Sequence, residues 1–316
     1  MTQLAFDLRR APRVLSYGGG LDSFAMLLEA IRLGIEIDAV VFMNVGAPGD
    51  PGEWPGTYRH IEEVVRPLCR RHGIEFVQLD HTNYPVRGGR KGEARSLFAW
   101  LSAHKTFPMA APGRVCTSIA KVERFERWLN DRFPGQEVEV WIGFEAGEEK
   151  RAASDPNAGK KRKGKRKPNT AKRVNRFPLI EWRLCRCRCE ALVRASGHPV
   201  PRKSACVFCP YASKGDWQTF AVEMPEDFNR VVVMERNRPV TKVQPDKKRG
   251  GMKGGNKLSI MNYRSGGPGV GKGKPTMLPD FIAGSYTRNV EPCAVCGAPD
   301  RATKATGCGY LEGAAA

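Results

Sequence analysis

Arg13-Val14-Leu15-Ser16-Tyr17 runs directly into Gly18-Gly19-Gly20-Leu21-Asp22-Ser23 and then into Phe24-Ala25-Met26-Leu27-Leu28. The first five residues read as a short strand, the glycines as a sharp turn, and residues 22–33 as a helix. A strand, a Gly-rich turn and a helix in that order aim backbone amides and a helix N-terminus at an anion. Asp22 needs a further reason, because a carboxylate repels phosphate unless it holds a divalent cation or the reacting group. The stretch therefore predicts a site for ATP with Mg2+. Ser23 offers a hydroxyl both to a phosphate and to the helix start.

Outward from this turn, three more apolar runs, 38–44, 74–79 and 138–143, read as strands. They alternate with stretches of helical period at 22–33, 57–72, 93–104 and 118–133. Strand alternating with helix predicts an α/β domain, a parallel sheet with helices on both faces. Residues 224–237 read as a further helix. The segment 159–176 holds ten basic residues and no acidic one, and 236–274 carries eleven Lys or Arg against the single acid Asp246. Both read as flexible segments. The expected organisation is an ATP-binding domain at 1–158, a basic flexible loop at 159–176, a cysteine-rich region at 177–235, and a basic Gly-rich segment with a Cys-containing tail at 236–316. The Gly-x4-Gly-Lys spacing at 266–272 is a decoy, since Gly273 follows where a phosphate loop needs Ser or Thr and no strand precedes it.

The loop resembles that of the PP-loop ATP pyrophosphatases, whose signature is Ser-Gly-Gly-x-Asp-Ser after the first strand of an adenine-nucleotide α-hydrolase-like (HUP) fold. Gly18 stands where the family has Ser. Three further stretches resemble the branch that contains phosphoadenylyl-sulfate (PAPS) reductases and the ATP pyrophosphatases of DNA phosphorothioation. Arg114-Val115-Cys116-Thr117 with Lys121 is similar to an Arg-x-Cys-[Cys/Thr]-x3-Lys element. Residues 143–151, with Glu148, Glu149 and Arg151, are similar to a Gly and Glu-Ser-x-Arg region. Ser204-Ala205-Cys206-Val207-Phe208-Cys209-Pro210 is similar to the Cys-x2-Cys element of an iron–sulfur site. These matches span residue 14 to about 217.

A Cys-x2-Cys turn directs two thiolates at one metal or cluster, and thiolates select iron–sulfur clusters or zinc over hard cations. The resemblance implies a 4Fe–4S cluster on Cys116, Cys189, Cys206 and Cys209, with Cys185 and Cys187 competing for the place of Cys189. Zinc on the same four residues is the alternative, because spacing alone does not separate the two metals. In the tail, Cys293-x2-Cys296 and Cys308 lack a nearby fourth ligand. They either borrow Cys185 or Cys187, bind a cluster through three thiolates, or hold no metal. The five histidines show no ligand spacing.

In function, the resemblance implies an adenylating ATP pyrophosphatase in which Gly18, Gly19, Gly20, Asp22 and Ser23 hold the nucleotide. Lys121 and Arg151 neutralise the departing pyrophosphate, and the reaction prepares a nucleic acid or nucleobase for sulfur or nitrogen insertion. A sulfonucleotide reductase and a catalytically inactive nucleic-acid-binding relative are the alternatives. The tail Thr306-Gly307-Cys308-Gly309-Tyr310 only partly matches the Glu-Cys-Gly-x-His of reductases. Composition bears on partners: 52 basic against 33 acidic residues give a formal charge of +19, which suits a polyanion such as tRNA or DNA. A sulfur-donor protein and a second copy of the chain are further candidate partners. The sequence contains no run of about 18 apolar residues and no signal-peptide-like N-terminus, so the expected location is the cytoplasm and no membrane partner is expected. Ten cysteines in such a setting argue for metal or redox chemistry over a disulfide framework.

Overall fold

Parallel strands buried on both faces read as unbroken apolar runs, and Ala39-Val40-Val41-Phe42-Met43 is buried at every position. The computed structural model describes residues 10–87, 92–108, 115–155, 157, 170–237, 244–245, 252–253, 279, 282–283, 293 and 295–296. In chain order its first elements are β1 (Arg13–Tyr17), α1 (Leu21–Arg32), β2 (Ala39–Met43), α2 (Pro55–His60), α3 (Arg66–Arg71), β3 (Glu75–Leu79), β4 (Val86–Arg87), β5 (Glu93–Ala94) and α4 (Leu97–Ala103). There follow α5 (Val115–Thr117), α6 (Glu123–Arg132), β6 (Glu137–Ile142), α7 (Glu149–Ala153), β7 (Lys172–Arg176), α8 (Pro178–Glu181) and α9 (Arg186–Ala195). The last are α10 (Lys214–Glu223), α11 (Pro225–Arg236), β8 (Gln244–Pro245) and β9 (Met252–Lys253).

The main sheet has the order β3-β2-β1-β6-β7, and all its neighbouring strands are parallel. Alternate residues of β1 supply the cores on its two faces. Leu15 and Tyr17 join Phe24, Leu27, Leu192 and Val193 beneath α1 and α9. Val14 joins Val41, Phe125, Leu129 and Val138 beneath α6. A third core gathers Trp54, Phe98, Phe208, Trp217, Phe220 and Val231 from the β2–α2 connection, α4, the Cys206 loop, α10 and α11. The α/β sheet expected from the sequence is therefore present, with its cysteine-rich part packed against it.

Two expectations are corrected. Residues 172–176 lie in the stretch read as a flexible loop, yet they form β7 and extend the sheet. Charged side chains at a sheet edge deter further pairing, so the basic sequence Lys-Arg-Val-Asn-Arg marks an edge strand and not a missing one; residues 158–169 lie outside the described residues. The helix read at 93–104 begins later, because Glu93 and Ala94 pair with Arg87 and Val86 and Ser96 caps α4 by accepting from the Ala99 amide at 2.9 Å. The helices read at 57–72 and 118–133 each contain a π-helical turn, Ile61–Val65 and Ser118–Val122. Of the second basic segment, 236–274, only residues 236–237, 244–245 and 252–253 are described.

The loop between β2 and α2 is fastened to two distant helices. The shielded side chain of Asp50, 3% exposed, accepts hydrogen bonds from Arg95 and Arg230 at 2.9 Å each and from Ser96 at 2.7 Å. Burial alone pushes its carboxyl up, but these donors outweigh it and hold the pKa below the usual value. The anchored loop carries Glu53 toward the carboxyl end of the sheet.

Candidate active site

From β1 the chain continues to β2 and β3 on one side, whereas β6 leads to β7 on the other. Ligand crevices of open α/β sheets lie at such a switch point, outside the carboxyl ends of the strands. Here the two flanking loops touch: a Cβ on Gly143, after β6, would lie 3.2 Å from the Ser23 amide nitrogen. Gly19 has φ +79°, and a Cβ there would meet Thr57 Cγ2 at 2.6 Å, so only glycine fits. The Ser23 hydroxyl accepts from the Gly18 amide at 3.2 Å and donates to the Gly20 carbonyl at 3.1 Å. Gly20 is the N-cap of α1. Ser23 therefore sits inside the first turn and folds the loop back on itself, where the sequence suggested a helix cap. Asp22 Oδ2 lies 3.4 Å from the Arg186 guanidinium at the start of α9, a partner that the loop sequence does not announce.

The Cys-x2-Cys segment packs directly on this loop. A Cβ at Gly20 would stand 2.9 Å from Ser204 Oγ and 3.2 Å from the Ser204 nitrogen. The segment is held by an antiparallel bridge between Cys206 and Glu53 and by the Val207 amide donating to the Gly52 carbonyl at 2.9 Å. Cys206 and Cys209 are hydrogen-bonded through sulfur. The Cys206 bond lowers the Cys209 thiol to about 7, helped by the Tyr211 amide and the charges of Lys121 and Lys203. Cys206 is raised, first by its hydrogen bond to Cys209 and then by burial. Cys116 lies within electrostatic reach of Cys209 and Lys121, and burial raises its thiol.

Lys121 donates to buried Glu53 at 3.1 Å. Burial disfavours its ammonium, but Glu53 and the two neighbouring cysteines offset that and raise its pKa. Cys116, Lys121, Cys206 and Cys209 thus form one neighbourhood. Cys189 stands apart from it: fully buried under α1, with its thiol raised by burial and by Asp22 and Glu145. Arg151 pairs with Glu148 at 2.8 Å and lies over the Phe144 ring at 4.1 Å, with half of its side chain exposed. Arg114 and Cys308 lie outside the described residues.

A second thiol cluster was legible only as an open question. Cys185, Cys187, Cys293 and Cys296 bring their sulfur atoms within 4.8 Å of one another. They pack against Ala146 in the loop after β6. The tail pair therefore meets both of the two cysteines that the sequence offered as lenders.

No protein-family model matches the chain, and no curated protein matches it. Among solved structures it is similar to the U34-tRNA thiolase NcsA from Methanococcus maripaludis with its 4Fe-4S cluster, at 16% identity and a TM-score of 0.40 over 81% of this chain and 80% of that one. Such a likeness assigns no residue roles here. Among the described residues, no helix is long and apolar enough to cross a membrane.

Proposed function

We propose that the chain is a PP-loop ATP pyrophosphatase that adenylates a nucleic acid or nucleobase so that sulfur, or nitrogen, can replace the activated group. The observation that carries this reading is the packing of Ser204, two residues before Cys206, on Gly20 of the Gly-rich loop. A nucleotide-phosphate cradle and a thiol site share one wall, which is the arrangement needed when activation and sulfur delivery occur on the same atom.

In the reaction, an acceptor oxygen attacks the α-phosphorus of ATP. The bond from that phosphorus to the bridging oxygen breaks, and pyrophosphate leaves with the electron pair. A sulfur or nitrogen nucleophile then bonds to the activated position, and AMP leaves with the former acceptor oxygen. The amides of Gly19, Gly20 and the first turn of α1 hold phosphate oxygens, while the Gly18 amide, donating to the Ser23 hydroxyl, keeps the loop in the shape that presents them. Asp22, oriented by Arg186, would hold Mg2+, which supplies charge neutralisation at the phosphates. Arg151 provides a cation for the leaving pyrophosphate, while Lys121 serves both that charge and the thiolates beside it. Cys116, Cys206 and Cys209 would hold an iron–sulfur cluster, and their soft donor set fits it. Cys189, buried under α1 within electrostatic reach of Asp22, is proposed as a further thiol beside the loop, apart from the other three.

The test is incubation of the purified protein with Mg2+, ATP labelled at the α- and γ-phosphates, sulfide or ammonium as the nucleophile, and either bulk tRNA or double-stranded DNA. AMP and pyrophosphate should appear in equal amounts, with Asp22→Ala reducing the rate at least about 100-fold, the size of a lost transition-state contact. Production of ADP and phosphate would overturn the reading. So would reduction of phosphoadenylyl sulfate with no AMP formed from ATP.

A further inference from the structure

The cluster of Cys185, Cys187, Cys293 and Cys296 lies outside the thiol neighbourhood assigned to the reaction, and its spacing discriminates between metals. Four thiolates around one tetrahedral zinc, each at about 2.3 Å from the ion, lie about 3.8 Å apart. On a 4Fe–4S cube each thiolate binds a different corner iron, so the sulfurs are pushed further apart by an iron–iron edge. A mutual separation within 4.8 Å leaves room for a single ion and none for a cube. Two of the ligands come from the Cys-x2-Cys of the tail, the usual spacing of a closed four-thiolate site, and two from a tighter Cys-x-Cys at the start of α9.

Burial raises the Cys185 and Cys187 thiols, and the start of α9 offsets part of that cost. Cys185 is the N-cap of the ten-residue helix α9, where the helix dipole stabilises an anion. The Arg188 amide donates to the Cys185 sulfur, a contact that orients a ligand from outside the metal's own shell. Cys185, Cys187 and Cys293 are at most 3% exposed, so water does not compete for the ion. On the remaining side, Val295 packs against the backbone at Gly147, where a Cβ would meet it at 3.3 Å.

We propose that Cys185, Cys187, Cys293 and Cys296 bind one zinc ion as a closed four-thiolate site that clasps the tail onto the start of α9 and the loop after β6. Arg186 lies between the two α9 ligands in sequence, and its guanidinium is the group 3.4 Å from Asp22. The clasp thereby fixes the backbone from which Arg186 reaches the Gly-rich loop. Zinc remains bound throughout, and its loading releases the thiol protons to solvent. The inference stands independently of the adenylation chemistry, since a structural ion is required whatever the loop binds.

Metal analysis of the full chain purified without added metal should find one zinc per chain that persists in Cys206→Ser/Cys209→Ser and is lost in Cys293→Ser/Cys296→Ser. Because the latter variant could fail to fold, wild-type protein is also loaded with Co2+ alone. A tetrahedral four-thiolate absorption spectrum, displaced by Zn2+, is expected. Limited proteolysis completes the test: removing zinc with a chelator should speed cleavage of the chain next to Cys293 and Cys296 at least about tenfold over the zinc-loaded protein. Zinc that survives in the Cys293→Ser/Cys296→Ser variant would overturn the site, as would an octahedral Co2+ spectrum. Loss of an iron chromophore in that variant, with the chromophore retained in Cys206→Ser/Cys209→Ser, would exchange the roles of the two thiol groups and equally overturn it. Loss of AMP formation with zinc content intact would count against the adenylation reading alone.

Discussion

A Cβ at Gly20 would press on the Ser204 side chain at 2.9 Å and on its backbone nitrogen at 3.2 Å, whereas one at Gly18 would find Ser204 Oγ at 3.7 Å, an ordinary contact distance. The atypical position of the loop is therefore the one with room for a side chain. Gly18→Ser should fold with a melting point within a few degrees of wild type and keep, or raise, the rate of AMP formation, since its hydroxyl adds a donor to the phosphate site. Gly20→Ala should instead displace the segment that carries Cys206, costing about 1–3 kcal/mol as an overpacked contact and lowering both AMP formation and iron content. Thermal melting, labelled ATP and iron analysis of the two variants check this; a Gly18→Ser protein as damaged as Gly20→Ala would refute the packing argument. At this scale the sequence displayed the loop but not its partners. Gly18 to Ser23 are contiguous and chemically distinctive, so they were legible. Ser204 and Arg186 act only because the chain folds back across some 160 to 180 residues, and neither carries a local signal. Of the three cysteines near Lys121, Cys206 and Cys209 were legible through their spacing and Cys116 through the resemblance, while burial of Cys189 beneath α1 depends on helix packing that no spacing encodes.

Elements announced themselves where burial shaped their composition. β2 is apolar throughout because helices cover both faces of the sheet, β1, β3 and β6 keep enough apolar positions to read as strands, and the observed limits of all four fall within a residue of those read from the sequence. β7 was hidden because Lys172, Arg173 and Arg176 continue the basic composition of the segment before it. The helices α9 and α10 were hidden for another reason: cysteines and arginines dominate Arg186-Cys187-Arg188-Cys189, although Ser213 with Asp216 forms a capping box that marks the start of α10. One junction between elements leads to a test. His60 of α2 meets Phe24 of α1 edge-on at 4.7 Å, and His198, just past α9, meets the same ring at 5.6 Å. Burial, followed by the charge of His198, lowers His60 to about 4. In the unfolded chain a histidine titrates near pH 6.5. Between these values the unfolded state binds the extra proton, so stability is full above about pH 6.5 and falls as pH drops toward 4. The gap corresponds to about 3 kcal/mol at most, and solvent screening reduces that to about 1–2 kcal/mol. His198 is lowered as well, by burial and by Arg71, and adds in the same direction. Urea unfolding from pH 7 to 4 should show this loss in wild type and a shallower dependence in His60→Leu. An unchanged slope in the variant would remove His60 from the account.

Over the whole molecule, the positive charge far exceeds what a nucleotide site requires: ATP with Mg2+ carries only a few negative charges, against a formal +19 for the chain. Charge of this size is useful when the partner is a polyanion that must be gathered from dilute solution. The distribution supports that use. Lys160, Lys161, Arg162 and Lys163 follow one another in sequence, and the segment holding them leads into β7, the strand at the edge of the sheet on the β6 side of the switch point. Each phosphate neutralised releases counterions, which lowers log K by about 0.9 per tenfold rise in salt on duplex DNA and about 0.7 on single strands. Replacing the four residues by alanine should therefore weaken binding of bulk tRNA and reduce the salt slope by roughly 3, the sum of four such contacts. Fluorescence anisotropy across a salt series measures both quantities in one titration. ATP binding by the same variant, measured without nucleic acid, should stay at the wild-type value, because these side chains act on the polyanion and not on the loop. A salt slope unchanged by the four substitutions would assign the basic stretch to solubility, and affinity independent of salt in the wild-type chain would remove nucleic acid from the list of partners.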